Sequence, residues 1–474
     1  MKRYIFALLI LLTGWANAQT LNQAKQWFQN GNFESAKPVF KKLVKQSPSN
    51  AFYNFWYGAC CYETGEQADA EKYLQKAVDR KVINAYLYLA KLQNDEYRYE
   101  EAVENLESYQ ELMAKKKNAD TTEGDNLLEY ARKANRMLKG TEQVIVVDSF
   151  VVDKGRFLEA YKIGKEAGRI GFYDDFFTGD GQDSCTVFET ELKNKLYFAH
   201  TGDEGTTLYA MDRLGNGWGE AYALQGLDDT GNQNYPFVLA DGVTLYYASD
   251  GEESLGGYDI FVTRYNQETN RYLRPENLGM PFNSPANDYM YAIDEYNNLG
   301  WFASDRYQPE DKVCVYVFVP NESRVTYNYE STDEEVVRKA AMLHSIADTW
   351  GDEATVAEAR ERLNGIAQQT EQTEPQHEFE FVIDDNTTYY RMEEFRSTKA
   401  RQLFSQWRST EKELATLEQT LENKRDAYHK SKPAIRKSMS AELLKMESKL
   451  ETMKAQQAQR AKEARNAEKI FITK

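Results

Sequence analysis

Few residues in this 474-residue chain are spaced for catalysis. Its four histidines, His200, His344, His377 and His429, are scattered over unrelated segments. No HExxH, GxSxG, Walker A or dinucleotide fingerprint supplies a metal-bound water, an activated serine or a phosphate cradle. No catalytic residue and no cofactor is therefore nominated, and the chain reads as non-enzymatic. Asp250 with Asp259, and Asp180 with Asp183, are acidic pairs in turns that would suit a calcium loop. Aspartate is also the ordinary turn former, and that role is the expectation, so no metal site is assigned. Cys60 and Cys61 are adjacent in a helical pattern, where they read as small core residues. Cys185 and Cys314 fall in strand-like segments, and their pairing stays open. No CxxC or Cys/His cluster has zinc spacing.

The elements that carry these residues begin with an export signal. Lys2 and Arg3 precede an apolar run from Ile5 to Leu12, and Ala16-Asn17-Ala18 supplies small residues for cleavage between Ala18 and Gln19. The run is well short of the ~20 residues that span a bilayer, so cleavage rather than anchoring is expected. The net charge is −17, but from Arg391 onward there are 20 Lys/Arg against 12 Asp/Glu. An acidic body argues against nucleic acid, since phosphate neutralisation drives that binding.

A repeat follows the signal. Gly31, Ala36 and Phe40 in NGNFESAKPVFKKLVKQSPSN recur as Gly65, Ala70 and Leu74 in ETGEQADAEKYLQKAV, with Gly31 to Gly65 and Ala36 to Ala70 both 34 residues apart. Ala90, Ala102 and Leu106 form a third, weaker copy. Small residues such as Gly58, Ala70 and Ala90 let two antiparallel helices approach, while aromatics fill the next gap. These residues resemble the tetratricopeptide repeat over about residues 20–115. A helix from Leu127 to Leu138 is expected to cap the stack. The resemblance implies a groove for a peptide or protein partner, with Tyr53, Tyr57, Tyr86 and Lys91 as candidate contacts.

After Gly140 the period changes to strands. Three segments align, with anchors Phe198-Ala199, Tyr247-Ala248 and Phe302-Ala303 spaced 49 and 55 residues apart. GNGWGEAYAL and RYLRPENLGMPFNS read as outer strands between them. Tyr246-Tyr247-Ala248-Ser249-Asp250 with Gly256-Gly257-Tyr258-Asp259-Ile260 resembles the PD40, or WD40-like, repeat of TolB-type β-propellers. In the third unit Lys312-Val313-Cys314 replaces the Gly-Gly-x-Asp element. Asp250 and Asp305 are expected to tie turns and strands together. Residues 143–175 are expected to supply one irregular blade, and the strand pair in Phe379 to Met392 to close the ring. Asp333 to Gln369 reads as a helical insertion, with Val336, Ala340, Leu343, Ile346 and Ala347 on one face.

From Thr398 the pattern is helical. Trp407, Leu414, Leu421 and Tyr428 recur every seven residues, then Met439, Met446 and Met453 beyond Pro433. The interruption at Ser431-Lys432-Pro433 suggests a helical hairpin, with a dimeric coiled coil as the rival. The fold class is thus multidomain α + β. It comprises a signal peptide (1–18), a helical solenoid (19–140), a β-propeller-like domain (141–396) with a helical insertion near 331–370, and a helical tail (397–474). The module order resembles that of Gram-negative envelope proteins linked to the outer membrane and to secretion. It implies a periplasmic scaffold whose partners are envelope proteins. The alternative is a propeller that binds a glycan or small ligand through Trp218, Tyr235 and Trp301.

Overall fold

The computed structural model describes residues 20–117, 119–177, 184–203, 205–215, 217–227, 231–373, 379, 381–384, 387–430 and 433–472. The cleavage site Ala18–Gln19 and the pair Asp180 and Asp183 lie outside them. The chain divides into two compact units, residues 1–367 and 368–474.

Seven helices open the first unit: α1 (20–29), α2 (Phe33–Gln46), α3 (Ala51–Glu63), α4 (Gln67–Val78), α5 (Ile83–Asp95), α6 (Tyr99–Met113) and α7 (Thr122–Lys139). Asn50 starts α3 by accepting hydrogen bonds from the Phe52 and Tyr53 amides, which satisfies two otherwise orphaned donors. Successive pairs make three hairpins, and α7 closes the stack by burying Leu128, Ala131, Ala134 and Leu138. The small residues do what the repeat predicts. At Gly58 a Cβ would meet Leu74 Cγ and the Leu74 backbone nitrogen, both at 2.9 Å, so α3 and α4 touch at a point that admits no side chain. Cys60 and Cys61 are buried in the same core.

The turns inside the hairpins need a left-handed residue. Gly31 and Gly65 supply it at φ 74° and 77°, but in the third hairpin Tyr97 adopts φ 58°. Its ring lies 5.3 Å from that of Tyr99, in a buried cluster with Leu255, Met280, Val337 and Ala341 that ties the last hairpin to the strand-rich part. Lys133 on α7 adds hydrogen bonds to the carbonyls of Glu252 and Ser254.

That part holds three antiparallel sheets. The first runs β2 (Arg169–Phe172), β3 (Thr186–Glu189), β4 (Lys195–Gly202) and β5 (Gly205–Leu214), edged by β6 (Gly217–Trp218) and β7 (Tyr222–Ala223). The second runs β8 (Gln233–Val238), β9 (Thr244–Ser249) and β10 (Asp259–Asn266), edged by β11 (Arg271–Tyr272) and β12 (Glu276–Asn277). The third runs β13 (Asp288–Asp294), β14 (Leu299–Ser304) and β15 (Lys312–Val319). Its outer strand is β1 (Ile145–Asp153), which pairs with β15 from Ile145↔Val319 to Asp153↔Lys312. One apolar core is shared by all three. Phe157, just after β1, sits where they meet, with ring centroids 6.2 Å from Phe172, 5.9 Å from Tyr235 and 6.0 Å from Tyr289.

Two expectations are corrected. Residues 143–175 are not a sheet of their own, because β1 completes the third sheet and β2 begins the first. The strand pair near 379–392, β16 (Phe381–Asp384) and β17 (Thr387–Tyr389), forms a two-stranded sheet of its own among the described residues and belongs to the second unit.

A repeated polar device joins neighbouring sheets. Asn232 donates its backbone and side-chain N–H to Asp250 at 2.6 and 2.9 Å while accepting from the Thr206 amide at 3.0 Å. Asn287 does the same to Asp305 at 2.8 and 3.0 Å while accepting from the Tyr258 amide at 3.0 Å. Asp259 accepts from the Leu255 and Gly256 amides and from Asn277. The aspartates therefore act as turn and strand ties. No disulfide is formed by any of the four cysteines, so Cys185 and Cys314 are not joined. Cys185 instead lies 3.5 Å from Thr201.

The insertion comprises α8 (Glu334–Met342) and α9 (Glu353–Thr373). Ala340 and Leu343 are buried as expected, with Val337 and Ala341 beside them, whereas Val336 and Ala347 are exposed. Leu343 turns left-handed and ends α8, so Ile346 and Ala347, in a separate short 3-10 turn, do not continue its face.

In the second unit α10 (Thr398–Lys430) and α11 (Pro433–Ile472) pack against each other as a hairpin. Leu414, Leu421 and Leu443 are buried, and Arg425 pairs with Glu447 at 2.8 Å. Phe381, Ile383, Tyr389, Phe395 and Phe404 form its local core. No helix among the described residues is long and apolar enough to cross a membrane.

Candidate protein-interaction site

The first helices of the hairpins, α1, α3 and α5, share one inner face. Four positions after the small residues Ala24, Gly58 and Ala90 come Phe28, Tyr62 and Asn94, so one turn further on each helix presents the same side. Phe28 of the first hairpin reaches Tyr88 of the third, with centroids 6.3 Å apart, and Phe55 lies between them at 6.0 and 5.8 Å. Tyr62 adds its edge to Tyr88 at 5.9 Å.

Charged groups surround this aromatic floor. Tyr62 donates to the Asp95 carboxylate at 2.8 Å, and burial pushes the Asp95 acid upward. Lys91 lies over the Tyr88 ring at 5.2 Å and pairs with Glu123 of α7 at 2.6 Å. Glu63 is exposed beside them. With Lys91 already paired, the face carries excess negative charge.

The residues chosen from sequence are divided by the structure. Lys91 lies on this face. Tyr53 is half-buried against Trp56 at 6.2 Å. Tyr57 and Tyr86 are core residues, corrected from groove contacts: Tyr57 is 1% exposed with its hydroxyl on Asp69, and Tyr86 donates to the Val78 carbonyl. Among the candidates in the strand-rich part Trp218 is exposed on β6, beneath Arg213. Tyr235 packs between Tyr258 and Tyr289 at 5.9 and 5.3 Å. Trp301 is fully buried in β14, so it offers no surface to a ligand. Phe28, Phe55, Tyr62, Tyr88 and Asp95 were not singled out. Counting four residues on from Gly58, a small position of the repeat, would have found Tyr62.

One group of metal-ligating types lies together among the described residues, Cys61, Glu66 and Asp69. Its members are engaged already: Glu66 pairs with Lys37 at 3.1 Å and Tyr57 binds Asp69 at 3.2 Å. Burial pushes the Cys60 thiol up to about 12 and the Cys61 thiol up to about 11, so both stay protonated and unreactive at neutral pH.

Comparison with known proteins agrees with this architecture at the amino-terminal end. Residues 21–81 match the tetratricopeptide repeat family, so the N-terminal helical region is of that type. Among solved structures, the first TPR of Spaghetti (RPAP3) bound to an HSP90 peptide is similar at 20% identity and a TM-score of 0.23, covering 25% of this chain and 91% of that one. The TPR2B domain of yeast Sti1 in complex with pHsp70 is similar at 20% identity and 0.23, covering 25% of this chain and 96% of that one. The Sgt2 TPR domain from Aspergillus fumigatus shows the same identity and TM-score over 26% of this chain and 82% of that one. No curated protein matches the sequence.

Proposed function

We propose that this protein is an exported, non-catalytic adaptor that binds a protein partner along the inner face of its helical repeats. The observation that carries this reading is the aromatic floor of Phe28, Tyr62 and Tyr88 with Glu63, Lys91, Asp95 and Glu123 around it. Half-buried rings rimmed by charge are the composition of recognition surfaces. The three sheets serve as a rigid mount for the repeats and offer a second surface. We read them as an irregular propeller of the PD40 kind, in which β1 closes the third blade. The apolar run at Ile5 to Leu12 and the module order support a periplasmic location and a role in outer-membrane or secretion-related assembly. The glycan-binding alternative has less support, since Trp301 is buried and Tyr235 is packed among other rings.

The test is photo-crosslinking in the native envelope with a probe placed at Lys91, comparing the unaltered chain with the double variant Tyr62→Ala, Glu63→Arg. A discrete crosslinked partner that disappears in the variant is expected. A partner retained in full by the variant places binding elsewhere, and absence of any crosslink from either chain overturns the adaptor reading.

A further inference from the structure

Where the last hairpin meets the sheets there is a cavity of about 230 Å³ lined by Asn94, Asp95, Tyr97, Tyr130, Arg306 and Tyr307, among others. Asn94 is only 5% exposed, and neither atom of its carboxamide has a hydrogen-bond partner among the described residues. A buried amide left unmet is costly, so this position is explained by a polar group that arrives from outside. The charge of Arg306 is already committed. Its guanidinium binds Asp288 at 2.7 Å, the Phe282 carbonyl at 2.9 Å and Ser304 at 2.8 Å. The Asp95 carboxylate, in contrast, holds a hydroxyl from Tyr62 and no ion pair is formed with it among the described residues.

We infer that this cavity receives a cationic side chain, lysine or arginine, from the protein bound along the inner face. The inference rests on the adaptor reading and names what the partner presents. The rings of Tyr97 and Tyr130 in the lining suit a cation through their quadrupoles, while Tyr307 is stacked on His344 at 4.2 Å and closes the wall. Asp95 supplies the opposite charge, and the Asn94 carbonyl oxygen accepts a hydrogen bond that no described residue provides. Tyr97 and Tyr307 both hold left-handed backbones, at φ 58° and 61°, a strained conformation for bulky residues. Through Tyr62 the Asp95 carboxylate is continuous with the aromatic floor, so a segment crossing that floor passes the mouth of the cavity.

Fluorescence anisotropy of the full chain tests this with labelled octapeptides alternating alanine with lysine, arginine, glutamine or glutamate. One or both basic peptides are expected to bind, and the two basic arms tell lysine from arginine. Asn94→Leu is expected to weaken that binding about tenfold, as loss of a buried hydrogen-bond partner does, and Asp95→Asn about threefold, because Asp95 is exposed and its charge partly screened. Glu107→Gln removes the same unit of charge from an exposed pair with Arg132 and leaves binding unchanged. Urea midpoints of the variants check that each is folded, and Asp95→Asn alone suffices if Asn94→Leu is not. Equal losses in Asp95→Asn and Glu107→Gln, equal binding of the glutamine peptide, or no binding of either basic peptide each overturn the inference. The crosslink at Lys91 then decides the adaptor reading separately.

Discussion

Gly58 and Gly65 are both glycines of the second hairpin, yet they are constrained for different reasons. A Cβ on Gly58 collides with the backbone of Leu74 as well as its side chain, so the helices must separate to admit it. At Gly65 the space is open, and the obstacle is a φ of 77°. Gly58→Ala is therefore expected to lower stability by about 2–3 kcal/mol, the range of an overpacked core. Gly65→Ala is expected to cost about 1 kcal/mol, the strain of one left-handed residue. Urea denaturation of both variants measures the order, and a larger loss at Gly65 contradicts the packing account. Spacing in the sequence made Gly58 legible as a contact point. It did not reveal Tyr97, because a tyrosine at a glycine position gives no local sign that a neighbouring sheet holds it there. The groove candidates Tyr57 and Tyr86 failed for a related reason. Helix periodicity says which residues share a face, and it does not say which face another helix will cover.

At the scale of elements, β1 is the instructive case. Its alternating, β-branched residues mark it as a strand, but its partner β15 lies far along the chain, and alternation specifies faces rather than neighbours. Once paired, β1 is an exposed edge that the insertion covers. The Val146 amide donates to Thr349 at 3.0 Å, Trp350 donates its indole N–H to the Val146 carbonyl at 2.7 Å, and Arg360 donates to the Val147 carbonyl at 2.8 Å. Covering an edge in this way blocks association with other strands. Trp350→Phe keeps an aromatic ring but removes the donor, so it is expected to cost about 1–2 kcal/mol, the penalty for a buried carbonyl left without its bond. Chemical denaturation reads the loss, and light scattering on warming is expected to rise earlier than in the unaltered chain. An unchanged midpoint would mean that β1 does not depend on the insertion. The repeated outer strands β6, β7, β11 and β12 were visible in the sequence. The Asn232–Asp250 and Asn287–Asp305 ties were half visible, since the aspartates stand in a repeat motif and the asparagines do not.

At the scale of the whole molecule, the two units carry titrating groups of opposite consequence. In the first unit Asp259 is fully buried, and burial together with the nearby Asp288 raises its acid to about 7. Burial also pushes Asp288, Asp95 and Glu142 upward. A carboxyl whose pKa is raised on folding binds its proton more readily in the folded chain than in the unfolded one. Stability therefore increases as pH falls through 7 toward the ordinary carboxylate range, and is lost as pH rises. In the second unit Glu394 is held below its usual range by the backbone amide of Tyr390, so its contribution persists throughout neutral pH and fades only in acid. The second unit also has its own core and its own tie, Glu468, which is fully buried and accepts from Tyr389 at 3.0 Å, from the Arg396 amide at 2.6 Å and from the Ser397 amide at 3.1 Å. Calorimetry of the full chain is accordingly expected to resolve two transitions. Lowering the pH from 8 to 6 should raise the first unit's transition and leave the second nearly still. Asp259→Asn should flatten the first response, because the amide has no proton to take up, while Glu468→Gln should lower only the second transition. A single cooperative transition, or a pH response that survives Asp259→Asn unchanged, would show that the two units do not store their stability separately or that another buried acid governs the first.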